Sequence, residues 1–250
     1  MPDASDLPDS LVQSGLLGRL RAALLAAGLG PSELDIVPSD DPEGRTLAAG
    51  LVLLYPYAPG GGSDEAAPHI VLTRRTTAMR RHSGQISLPG GRYDLEDGSL
   101  LRTALRETEE ELGVAPSSLT LWGRLEPEHI VASHYALAPF VAYTPRRPAF
   151  VPAPAEVAEV IDLPLAHLLD PATVEEEDWE FQGLTRRVSF FRFQEHKIWG
   201  ATARILSQIV LLLDPSRTDV GPFAGAAGET GRRLAPGDVW PRSVRQPPPS

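Results

Sequence analysis

The sequence contains no cysteine and only two methionines in 250 residues. The absence of cysteine excludes disulfide bonds, thiolate catalysis and cysteine-ligated zinc, and it agrees with a reducing compartment. No apolar run approaches the roughly 20 residues that a helix needs to cross a bilayer. The first six residues also lack the basic stretch that begins a secretory signal. We therefore expect a cytoplasmic protein with no membrane partner.

Basic residues are scarcer than acidic ones. The chain has 23 Lys and Arg against 33 Asp and Glu, and its formal net charge is −10. This balance argues against nonspecific binding to nucleic acid, because such binding needs a basic protein surface. The length suffices for one sizeable domain with extensions, and it leaves a homodimer open.

Carboxylates are concentrated on one predicted helix, over residues 99–112. Glu107, Glu110 and Glu111 stand at positions i, i+3 and i+4, so their side chains share one stripe of this helix. Like charges at this spacing repel by about 0.2–0.5 kcal/mol per pair, and the helix dipole disfavours anions near the C-terminus. Mg²⁺ or Mn²⁺ would offset the repulsion, since both prefer oxygen ligands. The competing interpretation is a solvated acidic helix end. The neighbouring apolar face comprises Leu101, Ala104, Leu105, Thr108 and Leu112.

The segment from Gly90 to Val114 resembles the Nudix box, Gly-x5-Glu-x7-Arg-Glu-U-x-Glu-Glu-x-Gly-U, where U is a bulky apolar residue. The second half fits from Arg106 onward, with Thr108 as an imperfect U. The first half departs from the pattern, because the acid is Asp97 and eight residues, rather than seven, separate it from Arg106.

A second motif immediately precedes the box. It resembles the additional motif of the coenzyme A pyrophosphatase branch, Leu-Leu-Thr-x-Arg-Ser-x3-Arg-x3-Gly-x3-Phe-Pro-Gly-Gly, and the one-residue lengthening before Arg106 is also typical of that branch. The likeness extends over about residues 45–213. The matching positions are Leu72, Thr73, Arg75, Arg80, Gly84, Pro89, Gly90 and Gly91.

Four arginines lie within eight residues of this motif, at Arg74, Arg75, Arg80 and Arg81. Guanidinium groups pair bidentately with phosphate, so a local basic patch beside an acidic metal helix suits a polyphosphate ester. The alternative is a solvated basic loop, or arginines paired with some of the many acids.

The resemblance implies the α+β Nudix fold, a mixed sheet sandwiched between helices, and metal-dependent hydrolysis of coenzyme A to 4′-phosphopantetheine and 3′,5′-ADP. Acyl or oxidised coenzyme A is a further candidate substrate. Arg106 is expected to brace the loop and the carboxylates. The implied metal ligands are Glu107, Glu110 and Glu111, which with Arg106 form the catalytic set, and the implied substrate contacts are Arg75, Arg80, Gly90 and Gly91.

Two other functions stay open at this point. One is a Nudix pyrophosphatase acting on another nucleotide, such as ADP-ribose or a dinucleotide, and the other is a nucleotide sensor without catalysis. The general base is also open between a glutamate of the box and an acid of a distant loop, for which the candidates are Glu128, Glu159 and the acidic run 175–178. The histidines, including His196, show no metal-ligand spacing, and a structural or surface role is expected for each.

Hydrophobic patterning predicts three regions, a helical extension over residues 1–40 containing a helix at 11–29, a Nudix domain over 41–215, and a Gly- and Pro-rich flexible tail over 216–250. The predicted strands cover residues 46–57, 69–75, 119–125, 135–143, 156–161, 188–193 and 197–199, and further helices cover 164–169 and 201–213.

Overall fold

The computed structural model describes residues 15–31, 34, 38, 44–59, 66–77, 84–130, 133–181, 183–217 and 220. The helices are α1 (Leu16–Ala26), α2 (Leu100–Leu112), α3 (Leu165–Leu168) and α4 (Gly200–Leu213). The strands are β1 (Thr46–Tyr57), β2 (Ala67–Arg75), β3 (Ile86–Ser87), β4 (Gly90–Arg92), β5 (Thr120–Arg124), β6 (Glu128–Ile130), β7 (Tyr135–Tyr143), β8 (Val157–Pro164), β9 (Val174–Phe181), β10 (Leu184–Phe193) and β11 (His196–Ile198).

Eight strands form one mixed sheet. Its central order is β3-β2-β1-β7-β5, with β4 paired to β1, β6 to β7 and β8 to β2. Strands β1 and β7 run parallel, and the other pairs run antiparallel. The connection between the parallel strands contains α2, as a crossover requires. The short strand β4 pairs Gly90 with Gly50 and Gly91 with Ala49, which places the glycine pair in the middle of the sheet.

Both faces of this sheet are covered, and β1 shows why. Its residues alternate between two cores, as the two-residue period of a strand requires. Leu51 and Leu53 belong to the core that contains Leu100 and Leu112 of α2. Val52 and Leu54 belong to the other core, which holds residues of α1 and α4. The predicted α+β arrangement with a sheet between helices is confirmed.

A second, three-stranded sheet has the order β11-β10-β9. The strands predicted at 188–193 and 197–199 correspond to β10 and β11, which pair as a hairpin whose turn includes Gln194 with a positive φ of 52°. Strand β9 was not predicted, because four consecutive acids interrupt any apolar alternation. Those acids form ion pairs with basic residues of the adjoining strand, such as Glu176 with Arg187 and Glu175 with Arg192, and opposite charges across strands are favourable.

Within the described residues, the predicted N-terminal helix is α1, which ends at Ala26 rather than at the predicted residue 29. It packs Leu17, Leu20 and Leu24 into the core shared with α4, and the Arg19 guanidinium donates to the Leu213 carbonyl at 2.9 Å. The boundary at residue 40 stays a prediction. Residues 11–14 and the tail from 221 lie outside the described residues. No described helix is both long and apolar enough to cross a membrane.

A close backbone contact ties α1 to the sheet and can be tested. A Cβ atom at Gly123 would overlap the Leu29 carbonyl oxygen, and its φ of 158° disfavours other residues. We expect Gly123→Ala to lower the free energy of unfolding by about 2–3 kcal/mol. In the control Gly50→Ala the new methyl would lie 3.5 Å from the nearest atom, so the change should stay within about 1 kcal/mol. Equal urea midpoints for the two variants would contradict this account.

Candidate active site

Helix α2 carries the predicted carboxylates and is defined by its caps. The Ser99 hydroxyl accepts the Arg102 N–H at 3.4 Å, and Gly113 ends the helix with a left-handed φ of 69°. The helix extends over Leu100–Leu112, which confirms the prediction of 99–112 with Ser99 as the N-cap. Its buried apolar residues turn one face to the sheet, so the adjacent carboxylates lie over β4.

Glu111 is buried against strand β4, and only 3% of its surface is exposed. Its Oε2 accepts the Gly90 N–H at 3.2 Å, and its Oε1 lies 3.7 Å from Arg75 Nη1. Burial raises the pKa of Glu111 to about 7, although Arg75 and the Gly90 bond act in the opposite direction. The negative charge of Glu107 raises the same pKa. The site thus holds a carboxylate that lacks full compensation for its charge.

Glu107 lies over the neighbouring glycine. A Cβ atom at Gly91 would overlap the Glu107 carboxylate, so only glycine permits this approach. Burial raises the pKa of Glu107, while the nearby Arg106 guanidinium opposes the shift. The structure therefore brings Glu107 and Glu111 together on the Gly90–Gly91 main chain.

Glu110 is placed differently. Its side chain is 60% exposed, and its Oε2 accepts from Arg106 Nη1 at 2.9 Å. Among the described residues, one group of three acidic or histidine side chains has all its ligand atoms within 4.8 Å of one another. That group does not include Glu107, Glu110 or Glu111. Arg106 Nη1 also lies 3.0 Å from Glu107 Oε1, so this guanidinium stands between Glu107 and Glu110. The three predicted ligands are thus two converging carboxylates and a third that is exposed.

Arg106 braces the loop before the helix, and Asp97 is its main partner. Asp97 accepts Arg106 Nε–H at 2.6 Å, Arg106 Nη2–H at 3.0 Å and the Thr103 hydroxyl at 2.8 Å. The hydrogen bond from Arg106 lowers the pKa of Asp97 to about 2. The predicted site does not include Asp97, although Asp97 takes the place of the first acid in the box pattern.

The arginines predicted to form a phosphate-binding patch differ in their surroundings. Arg75 is the one beside the carboxylate pair, and its Nε is buried with no hydrogen-bond partner among the described residues. Arg74 pairs with Glu159 at 2.7 Å instead. Arg80 and Arg81 lie outside the described residues, so the predicted substrate contact of Arg80 stays a prediction.

The candidate general bases identified from sequence all have basic partners. Glu128 lies 2.8 Å from Arg204 Nε, and Glu159 lies 2.7 Å from Arg74 Nε. The acidic run 175–178 is on β9 and pairs with arginines and a lysine of the same sheet. At least one oxygen of each of these carboxylates is therefore engaged in an ion pair.

Glu156 is an acid that the sequence did not single out. It is exposed, and its charge raises the pKa of both Glu107 and Glu111. The segment that leads to it is tied to α2, because the N–H groups of Val151 and Ala153 donate to the last two carbonyls of the helix at 2.8 and 2.9 Å. This return of the chain onto α2 is a tertiary feature with no local sequence signal.

The raised pKa of Glu111 gives a testable pH dependence. A folded-state pKa near 7 means that metal-free protein loses stability as pH rises from about 4.5 through 7. In EDTA at about pH 8, Glu111→Gln should therefore raise the free energy of unfolding, by on the order of 3 kcal/mol at most. At about pH 5 the gain should shrink, because the folded state then keeps Glu111 protonated and the pH is only slightly above the ordinary value of 4.5, where the unfolded state begins to release this proton.

Urea unfolding at the two pH values measures this difference, with Glu110→Gln as the control. Glu110 is exposed, so its substitution should give no stability gain at either pH. A gain for Glu111→Gln that is independent of pH would refute the burial argument.

Comparison with known proteins agrees with this architecture. The NUDIX domain family matches residues 55–182. An uncharacterized Nudix hydrolase NudL from Photorhabdus laumondii is 37% identical over 142 residues, covering 57% of this chain and 75% of that protein. NudL from Yersinia pestis (strain Pestoides F) is 35% identical over 142 residues, covering 57% and 71%.

Two solved structures give the same family name. The Nudix hydrolase RenU from M. smegmatis is 25% identical with a TM-score of 0.40, covering 49% of this chain and 73% of that one. A MutT/nudix family protein from Enterococcus faecalis is 15% identical with a TM-score of 0.42, covering 72% and 68%. The domain match, the NudL relatives and the mixed sheet between helices lead to one conclusion: the chain belongs to the Nudix hydrolase family and has the Nudix fold.

Proposed function

We propose that this Nudix hydrolase cleaves the diphosphate bond of coenzyme A, giving 4′-phosphopantetheine and 3′,5′-ADP. Acyl and oxidised coenzyme A are further candidate substrates. The observation that carries the hydrolase chemistry is the convergence of Glu107 and buried Glu111 on the Gly90–Gly91 main chain. The choice of coenzyme A rests on the arginine- and glycine-containing motif that precedes the box.

The carboxylates fit a divalent cation. Nudix hydrolases generally use divalent metals such as Mg²⁺. Glu107 and Glu111 offer hard oxygen donors, and burial disfavours their charged forms unless a cation compensates them. We assign these two as the principal ligands of Mg²⁺ or Mn²⁺, with Glu110 as a third ligand once it is released from Arg106. The bound ion supplies neutralisation of phosphate charge and a more acidic water.

The other residues of the site hold the loop in place and pair with the phosphate charges of the substrate. Arg106, fixed by Asp97, holds the loop and the carboxylates in place. Arg75 would pair with a phosphate oxygen, and Arg80 is assigned the same role. The glycine pair lets the Glu107 and Glu111 carboxylates lie on the main chain of β4, so a diphosphate bound to their cation would lie beside Gly90 and Gly91.

The reaction needs a group that accepts a proton from the attacking water. We assign this role to Glu156, because it is exposed and its charge acts on both site carboxylates. The water oxygen forms a bond to phosphorus, its proton passes to the carboxylate, and the bridging P–O bond breaks with release of the other phosphate.

Turnover on a substrate panel tests the proposal. Coenzyme A, dephospho-coenzyme A, ADP-ribose, a dinucleotide and a nucleoside triphosphate are compared with Mg²⁺ and with Mn²⁺, and the products are identified. Coenzyme A should give the highest kcat/KM. Turnover of ADP-ribose or a dinucleotide without turnover of coenzyme A would establish the other pyrophosphatase function. Binding without any hydrolysis would indicate a sensor.

Buried Glu111 and half-buried Glu107 should contribute more to turnover than exposed Glu110. We expect Glu107→Gln and Glu111→Gln to lower kcat by about 100-fold or more, because each removes a ligand charge at the reacting diphosphate. Glu110→Gln should lower kcat by less than about tenfold, since Glu110 is exposed and held by Arg106. Circular dichroism controls for folding. Parental activity of Glu111→Gln would make the ligand assignment wrong.

A separate variant tests substrate discrimination. Arg80→Ala should reduce kcat/KM for coenzyme A more than for dephospho-coenzyme A, by about tenfold or more, if Arg80 contacts the 3′-phosphate. The control is Arg146→Ala, which removes an exposed arginine of the loop after β7 and should change neither substrate. Equal losses of Arg80→Ala on both substrates would count against the contact.

A further inference from the structure

A second group of metal-ligand side chains lies outside the box. It comprises Glu159 of β8, Glu195 of the turn between β10 and β11, and His196 at the start of β11. Their ligand atoms all lie within 4.8 Å of one another, and no other such group of three occurs in the part of the chain that the structure describes. The group joins the edge of the main sheet to the three-stranded sheet.

His196 supplies an independent sign that something is bound here. Its side chain is only 6% exposed, yet its Nε2 makes no hydrogen bond and faces the two carboxylates. Buried polar atoms in folded proteins almost always have a partner, because an unsatisfied one is unfavourable. The sequence predicts only a structural or surface role for His196, since Glu159 comes from a distant strand.

The interatomic distances fit one shared ion. His196 Nε2 lies 3.4 Å from Glu159 Oε1 and 3.9 Å from Glu195 Oε1. Two atoms bound at zinc distances in a tetrahedral site are about 3.4 Å apart. Glu195 is 75% exposed, so its carboxylate is free to close the remaining gap.

The charges are also compatible with a cation. Glu159 directs its other oxygen, Oε2, to Arg74 Nε at 2.7 Å, which leaves Oε1 available. The two carboxylates and Arg74 together carry one net negative charge around the imidazole. A divalent ion would therefore satisfy the buried nitrogen and reverse the local excess of negative charge.

We propose that Glu159, Glu195 and His196 bind a divalent transition-metal ion, with Zn²⁺ as the best fit. Imidazole is a good ligand for Zn²⁺, whereas Mg²⁺ prefers sites made wholly of oxygen. The site is separate from the box glutamates, and its ligands come from both sheets. An ion here would cross-link the three-stranded sheet to β8 and stabilise the folded chain.

Calorimetric titration with Zn²⁺ tests this proposal in the full chain, with saturating Mg²⁺ present throughout to occupy the box. The wild type should bind Zn²⁺ at least about tenfold more tightly than Glu195→Gln, which changes an exposed residue and should not disturb folding. The control Glu180→Gln makes the same charge change at an exposed position of the same sheet and should bind like the wild type.

Two further measurements make the outcome decisive. Zn²⁺ should raise the Tm of the wild type and of Glu180→Gln but not that of Glu195→Gln, because an ion that binds only the folded state stabilises it. X-ray absorption at the zinc edge should show an imidazole ligand in the wild type that His196→Gln removes. Equal zinc affinity in all variants, or no zinc binding by the wild type, overturns the proposal and leaves the cluster a simple ion pair.

Discussion

The close approach of helix α2 to strand β4 is the constraint on which the rest of the site depends. Gly90 lies against β1 and Gly91 against the Glu107 carboxylate, and a Cβ atom at either position would overlap these neighbours. Without side chains on this strand, the helix can place carboxylates directly on the main chain, where Glu111 accepts the Gly90 N–H. A side chain at Gly90 would collide with the main chain of β1, and one at Gly91 would displace the Glu107 carboxylate from its position.

Two acids of the same box illustrate how the surroundings decide the chemistry of a carboxylate. Asp97 receives three hydrogen bonds from side chains, two of them from Arg106, and its pKa falls to about 2. Glu111 accepts one main-chain hydrogen bond and lies 3.7 Å from the Arg75 guanidinium, and burial raises its pKa to about 7. The first carboxylate is suited to holding the loop, and the second to taking up a cation.

Local patterns explain what the sequence could predict. Helix α2, the strands β1 and β7 and the closing helix α4 all follow from residue spacing, and the structure confirms them. Strand β9 could not be predicted, because its acids are stabilised by basic residues of later strands. Glu156 and the cluster around His196 also escaped prediction, since tertiary folding brings their members together. The convergence of Glu107 and Glu111 and the pairing of Glu110 with Arg106, four residues before it, were both predictable as helix spacing.

The return of the chain from β7 onto the end of α2 has a consequence for how this family member tolerates change. Val151 and Ala153 satisfy the last two carbonyls of the helix, and Gly113 fits beneath Val151. That arrangement fixes the length of the intervening loop, because one inserted or deleted residue would shift both donors out of register. Within the loop over residues 144–150, the exposed positions Pro145, Arg146 and Ala149 should therefore accept substitutions far more readily than the loop accepts alterations in its length.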